Sequence, residues 1–187
     1  TAASSSGRES PVVPDLSQRH GWLGLLMGDY VHNAGKVRIV GAPDVSHAVV
    51  HTDDSGLVYV LAVENPQQDR QFNTGAVPAA SMGDMVVAAV RCAWKCGLSG
   101  QSSEPDGDGP PTQDVIEVIS LEEAAKTQMY GPGCAVGWSL PIVMHSSASK
   151  CILGWEPEFT CLPETLSRHM QMQNQSQTKP MLPNRLV

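Results

Sequence analysis

"VPAASMGDMVVAAV" runs from Val77 to Val90, and its reading decides the fold. Ser81 is either a nucleophile placed by its neighbours or a residue of a turn. Gly83 and Asp84 favour the turn, because Gly tolerates unusual backbone angles and Asp bonds nearby amides. The Val-rich run that follows is compatible with a strand. On this reading Met85–Val90 is one β-strand, and the segment needs no chemistry.

The neighbouring segments are read the same way. "KVRIV" opens with alternation, Val37 and Ile39 apolar against Lys36 and Arg38, a period-two strand signal. "SHAVVHTDDSGLVYVLAVEN" reads as strand, turn, strand, with Val49 and Val50 in the first arm and Asp53–Gly56 as the turn. The second arm is the aliphatic run Leu57–Val63. "DVIEVISL" is a further short strand. "SLEEAAK" carries Ser120 and Glu123 at capping-box spacing, which opens a turn or two of helix. Residues 100–113, "GQSSEPDGDGPPTQ", are loop by composition. "GWLGLLMGDYV" mixes bulky apolar residues with glycines and reads as a docking segment. The Gln-rich stretch 170–187 is a polar extension that docks or stays mobile. Short strands, polar turns and little helix predict a mainly β fold, a small antiparallel five-stranded β-barrel. Short C-terminal helical turns and extended arms complete it. The expected organisation is an N-terminal extension 1–36, a barrel domain 37–146 and a C-terminal extension 147–187.

Composition bounds the function. The 187 residues carry 12 Lys and Arg against 19 Asp and Glu, a net charge of -7, which disfavours free-standing nucleic-acid binding. Apolar residues make up 41% and aromatics 5%, so aliphatic side chains supply the core. No stretch has the length and apolarity of a membrane span, and no membrane partner is expected. Five cysteines without CxxC pairing argue against a disulfide scaffold and for a reducing compartment. The opening "TAASSSGRESPVVP" fits either a processed mature end or an ordinary tail.

Four chemical constellations stand against simpler readings. A Ser/Lys hydrolase built on Ser81 and Lys126 needs a desolvated lysine as base. Ser81 lacks the GxSxG elbow, and Lys126 follows two glutamates in a polar segment. Cys134 with His145 evokes a Cys/His pair, yet a Cys among Gly, Ala and Val is more often a small buried hydrophobe. Cys92 and Cys96 have poor spacing for zinc. "PDGDG" lacks the flanks of a calcium loop. The expectation is no catalytic residue, no metal and no cofactor.

Three stretches in order resemble one family, the universal large-subunit ribosomal protein L-fourteen family. In "AVVHTDDSGLVYVLAV", Asp53, Asp54, Ser55 and Gly56 fall on the family's Asp-Asn-Ser/Thr-Gly turn. In the Val77–Val90 stretch, Gly83, Asp84, Val86, Val87, Ala89 and Val90 match its Gly-Asp turn and strand, with Arg91 in place of a Lys. In "AAKTQMYGPGCAV", Thr127, Met129, Tyr130, Gly131 and Pro132 match in type, and Gln128 replaces an Arg. The likeness covers residues 37–98 and 114–146. The family's basic ribbon is replaced by the acidic loop 100–113, which puts direct rRNA contact there in doubt.

The resemblance implies a structural constituent of the large ribosomal subunit, in a divergent, mitochondrial ribosome, acting in translation near the subunit interface. It implies contact with large-subunit rRNA and with the L-three and L-nineteen protein families. An intersubunit bridge to small-subunit rRNA and a ribosome-silencing factor are further implied partners. The candidate rRNA-binding residues are Lys36, Arg38, Arg70, Arg91, Lys95 and Lys126, acting by phosphate neutralisation. Trp22, Trp155 and Phe159 are candidate protein anchors. The alternatives are the Ser81/Lys126 hydrolase and a non-ribosomal β-barrel adaptor.

Overall fold

The computed structural model describes residues 21–66, 70–95, 98, 114–127 and 131–162. Residues 1–20 of the expected N-terminal extension, the acidic loop with its PDGDG run, Cys96 and the Gln-rich tail lie outside the described residues. Among the described residues the chain forms six helices and four short strands, and no closed barrel.

The element order starts with helix α1, Gly21–His32. Leu23, Leu26, Met27 and Tyr30 fall at three- and four-residue spacing and face the core. Gly35 ends the helix: its φ of 80° is left-handed, and its N–H reaches the Tyr30 carbonyl at 3.0 Å. Strand β1, Val37–Val40, follows and buries Val37, Ile39 and Val40. It pairs in parallel with β4, Ile116–Ile119, with Val37 opposite Ile116 and Val40 opposite Ile119. A second pair is antiparallel: β2, Ser46–Val49, against β3, Val77–Ser81, with His47 opposite Ala80.

The barrel expectation fails at two segments. Leu57–Val63 is not a strand but part of helix α2, Thr52–Glu64. Asp53–Ser55 and Gly56 are not a turn but the first turns of that helix. The His51 ring accepts the Asp53 N–H at 3.2 Å, and Asp53 and Asp54 sit where the helix dipole favours negative charge. These local bonds outweigh the β preference of Val58, Tyr59 and Val60.

Met85–Val90 is likewise helical, inside α3, Met82–Lys95. Its buried residues include Met82, Met85, Val86, Ala89, Val90 and Ala93, a three-four repeat that no strand can place on one face. The remaining helices are α4, Leu121–Lys126, α5, Gly131–Ser139, and α6, Ser147–Leu153. The α4 cap forms as the sequence indicates. Ser120 accepts the Glu123 N–H, and the Glu123 carboxylate accepts the Ser120 N–H at 2.9 Å. Those bonds, backbone first and hydroxyl second, hold the Glu123 carboxyl below its ordinary pKa.

Two apolar clusters organise the chain. The larger joins α1, β1 and α3 with Ala124, Ala135 and Trp138. The α1 helix therefore belongs to the core, although it falls within the expected extension. The smaller joins Val58 of α2 with Ala76, Leu153 and Trp155.

Candidate functional site

The exposed outer side of α2 is the first candidate surface. Leu57, Tyr59, Val60 and Val63 are all exposed, Tyr59 to 74% and Val63 to 80%. Gly56, Val60 and Val63 recur at helical spacing, and Tyr59 lies beside them. The opposite side holds the helix to the fold through Val58, Leu61 and Ala62. Exposed Asp53 and Glu64 lie near its two ends. A helix apolar on all sides belongs where more than one side is covered.

Beside it is a carboxylate clamp. Buried Asp54 accepts the backbone N–H groups of Glu158 and Phe159 at 2.9 and 3.0 Å. The Phe159 ring lies 4.1 Å, centroid to centroid, from the His51 ring. Trp155 and Phe159 are thus anchors within this chain, holding its C-terminal segment to α2, and both are buried.

A second candidate is a column of three rings where β2, α5 and α1 meet. Trp22, 45% exposed, meets buried Trp138 edge to face at 4.4 Å between centroids. Trp138 in turn lies 5.2 Å from the His47 ring. Strand β2 directs His47 inward, where it is 8% exposed. Burial holds the His47 pKa below its ordinary 6.5, and a hydrogen bond with the Trp138 backbone acts in the opposite direction. Buried Nε2 has no hydrogen-bond partner among the described residues. Leaving a buried polar atom unpaired costs about 1–3 kcal/mol.

The hydrolase constellation is not assembled. The Ser81 hydroxyl accepts the Asp84 N–H at 3.0 Å and donates to the Asp84 carboxylate at 2.7 Å. It is the N-terminal cap of α3. Lys126 pairs with Glu122 at 2.6 Å, and its side chain is 70% exposed, so it is not a desolvated base. Cys134 is exposed on α5, and His145 is exposed in the segment before α6. Cys92 is buried in the core. Among the described residues no group of three or more His, Cys, Asp or Glu side chains is placed to hold a metal.

The candidate basic residues are distributed over several elements. Lys36 donates to the Asp114 carbonyl. Arg38 is locked against buried Asp29, which accepts both its backbone N–H at 2.7 Å and its guanidinium. Arg70 is exposed in the loop that follows α2. Arg91 and Lys95, exposed and four residues apart, share the outer side of α3. Lys126 is spent on Glu122.

Sequence reasoning missed Asp29, Asp54, His47 and Trp138. Asp29 had a usable signal, a lone acid inside the apolar run "LLMGDYV". The helical repeat of α3 was also visible. Pairing of His47 with Trp138 depends on elements far apart in the chain and had no local signal.

No family model matches the chain, and no curated protein matches it. No helix among the described residues is long and apolar enough to cross a membrane.

Proposed function

We propose that this chain is a non-catalytic component of a larger protein assembly, docking through the outer side of α2. The partner is a folded protein surface, apolar at its centre and basic at its rim. The observation that carries this is the exposure of Leu57, Tyr59, Val60 and Val63 on one helix. Covering the apolar area they leave exposed is worth about 25 cal/mol per Å² before the costs of association. Exposed Asp53 and Glu64, on a chain of net charge -7, favour a basic rim and disfavour a phosphate backbone as the contact.

Packing into a large ribosomal subunit belongs to this class of function. The sequence resemblance that suggests it places Leu57–Val63 and Met85–Val90 in barrel strands, and both segments lie in helices. The coarser reading, a structural and adaptor role, does not depend on the barrel. The Ser/Lys hydrolase gains nothing from a capping Ser81 and an ion-paired Lys126.

Site-specific photo-crosslinking tests the proposal in cells. A photoreactive residue replacing Val60 is expected to give one discrete protein adduct, mapped to an apolar surface flanked by Lys or Arg. The same probe replacing Glu122 gives none, and adding Val63→Lys removes the adduct at position 60. Adducts to RNA, to a second copy of this acidic-rimmed chain, or to nothing overturn it.

A further inference from the structure

We infer that the outer edge of β4 is a docking site for an extended peptide in which basic and apolar residues alternate, added to the β1–β4 sheet as a third strand.

The two edges of that sheet are built differently. The Val37 N–H donates to the Val115 carbonyl at 2.7 Å, and Val37 stands opposite Ile116. In a parallel ladder this register draws the bonds to β1 from Val115, Glu117 and Ile119. It turns the N–H and C=O groups of Ile116 and Val118 to the other side. On β1 the outward N–H of Arg38 is closed, because the Asp29 carboxylate accepts it at 2.7 Å. Natural sheets block their edges in such ways, since an open edge is a template for another strand. Among the described residues β4 pairs with β1 alone, and no hydrogen bond fills the outward groups of Ile116 and Val118.

The two faces of the open edge select the occupant. Val118 is the cross-strand partner of Ile39 on the core side. Ile39 is fully buried and Val118 is 57% exposed, so the helical cover ends before β4. An apolar side chain on an added strand lies beside Val118 and extends that cover. The next side chain along points to the opposite face, where Glu117 is exposed and the Asn33 amide donates to its Oε2 at 3.1 Å. A Lys or Arg there meets Glu117, and exposed Asp114 adds negative charge just before the strand. Charge also disfavours a second copy, which would set one acidic β4 against another on chains of net charge -7. In strand addition the backbone bonds supply affinity and the alternating side chains supply choice. This edge adjoins the larger apolar cluster and does not depend on the docking reading for α2.

The probe is a fluorescent, end-capped peptide of about eight residues alternating Lys and Val, titrated into the full chain by anisotropy. NMR follows amide exchange at Ile116 and Val118, and saturation with peptide is expected to slow both about tenfold or more. A counterpart N-methylated at every amide keeps the charge and the side chains. It is expected to bind about tenfold weaker, the worth of one or two net backbone hydrogen bonds. Val118→Pro removes an N–H that the pairing with β1 does not use, and should abolish binding. Glu117→Gln weakens the peptide about threefold, whereas Glu156→Gln, the same charge change on an exposed residue elsewhere, leaves it unchanged. Should Val118→Pro unfold the chain, the N-methylated peptide and the exchange rates decide. Absence of binding, equal binding of the N-methylated peptide, or amides of Ile116 and Val118 left unprotected at saturation overturns the inference.

Discussion

The Trp155 indole donates its N–H to the Asp54 carbonyl at 3.0 Å, across 101 positions of sequence. The same Asp54 holds the Glu158 and Phe159 amides on its carboxylate. One residue near the start of α2 therefore fixes both the indole and the irregular segment beyond it. Asp54→Ala removes the carboxylate that accepts the part-buried Glu158 amide and the buried Phe159 amide, and is expected to cost about 2–3 kcal/mol. Urea unfolding measures it, and Trp155 fluorescence should shift red in the variant as its indole loosens.

Arg38 and Arg91 look alike in sequence and differ in the fold. Arg38 neutralises Asp29, whose side chain is 3% exposed, while its own is 34% exposed. Removing one partner of a buried pair strands the other, and partial exposure of the arginine moderates the cost. Arg38→Ala is expected to lose about 2 kcal/mol of stability, and Arg91→Ala less than about 0.5 kcal/mol. Chemical denaturation of both variants checks the contrast. A loss of assembly on charge reversal at Arg38 would accordingly report folding, whereas reversal at Arg91 tests the surface.

Ser81 is a cap, so its replacement should act on stability alone. Ser81→Ala is expected to cost about 1 kcal/mol, and Ser81→Thr to recover most of it. Thermal denaturation of the two variants measures this. An acyl adduct trapped on Ser81 by an active-serine probe would contradict the cap reading.

His47 makes stability depend on pH. Its folded pKa lies below the ordinary 6.5. Between those values the unfolded chain binds more protons than the folded one, so acidification favours unfolding. This contribution is fully present above about pH 6.5 and is lost as the pH falls through the folded value. His47→Leu should remove that part of the slope. Denaturation midpoints of both proteins at about pH 7.5 and about pH 5.5 give the comparison, and the wild type should lose more.

What was legible in the sequence followed local physics. Alternation placed β1, the Ser120–Glu123 spacing placed the α4 cap, and the aliphatic "IEVI" run gave β4. The failure at α2 came from treating Val, Tyr and Leu as strand formers while passing over His51 and two aspartates at a helix start. At α3 the buried set Met82, Met85, Val86, Ala89 and Ala93 carries the helical period, while the Gly83-Asp84 pair carries a turn signal that competes with it. The ring column and the Asp54 clamp were beyond local reading, because each joins elements separated by most of the domain.

The 101 positions between Asp54 and Trp155 also set an order of events during synthesis. At translation speeds of about 5–20 residues per second, α2 emerges roughly 5–20 s before its indole clasp exists. For that interval the nascent chain presents Val58 and Leu61 to the cell as well as Val60 and Val63. A holding chaperone has its natural target there, and a chain truncated ahead of Trp155 would keep that target open for as long as it lasts.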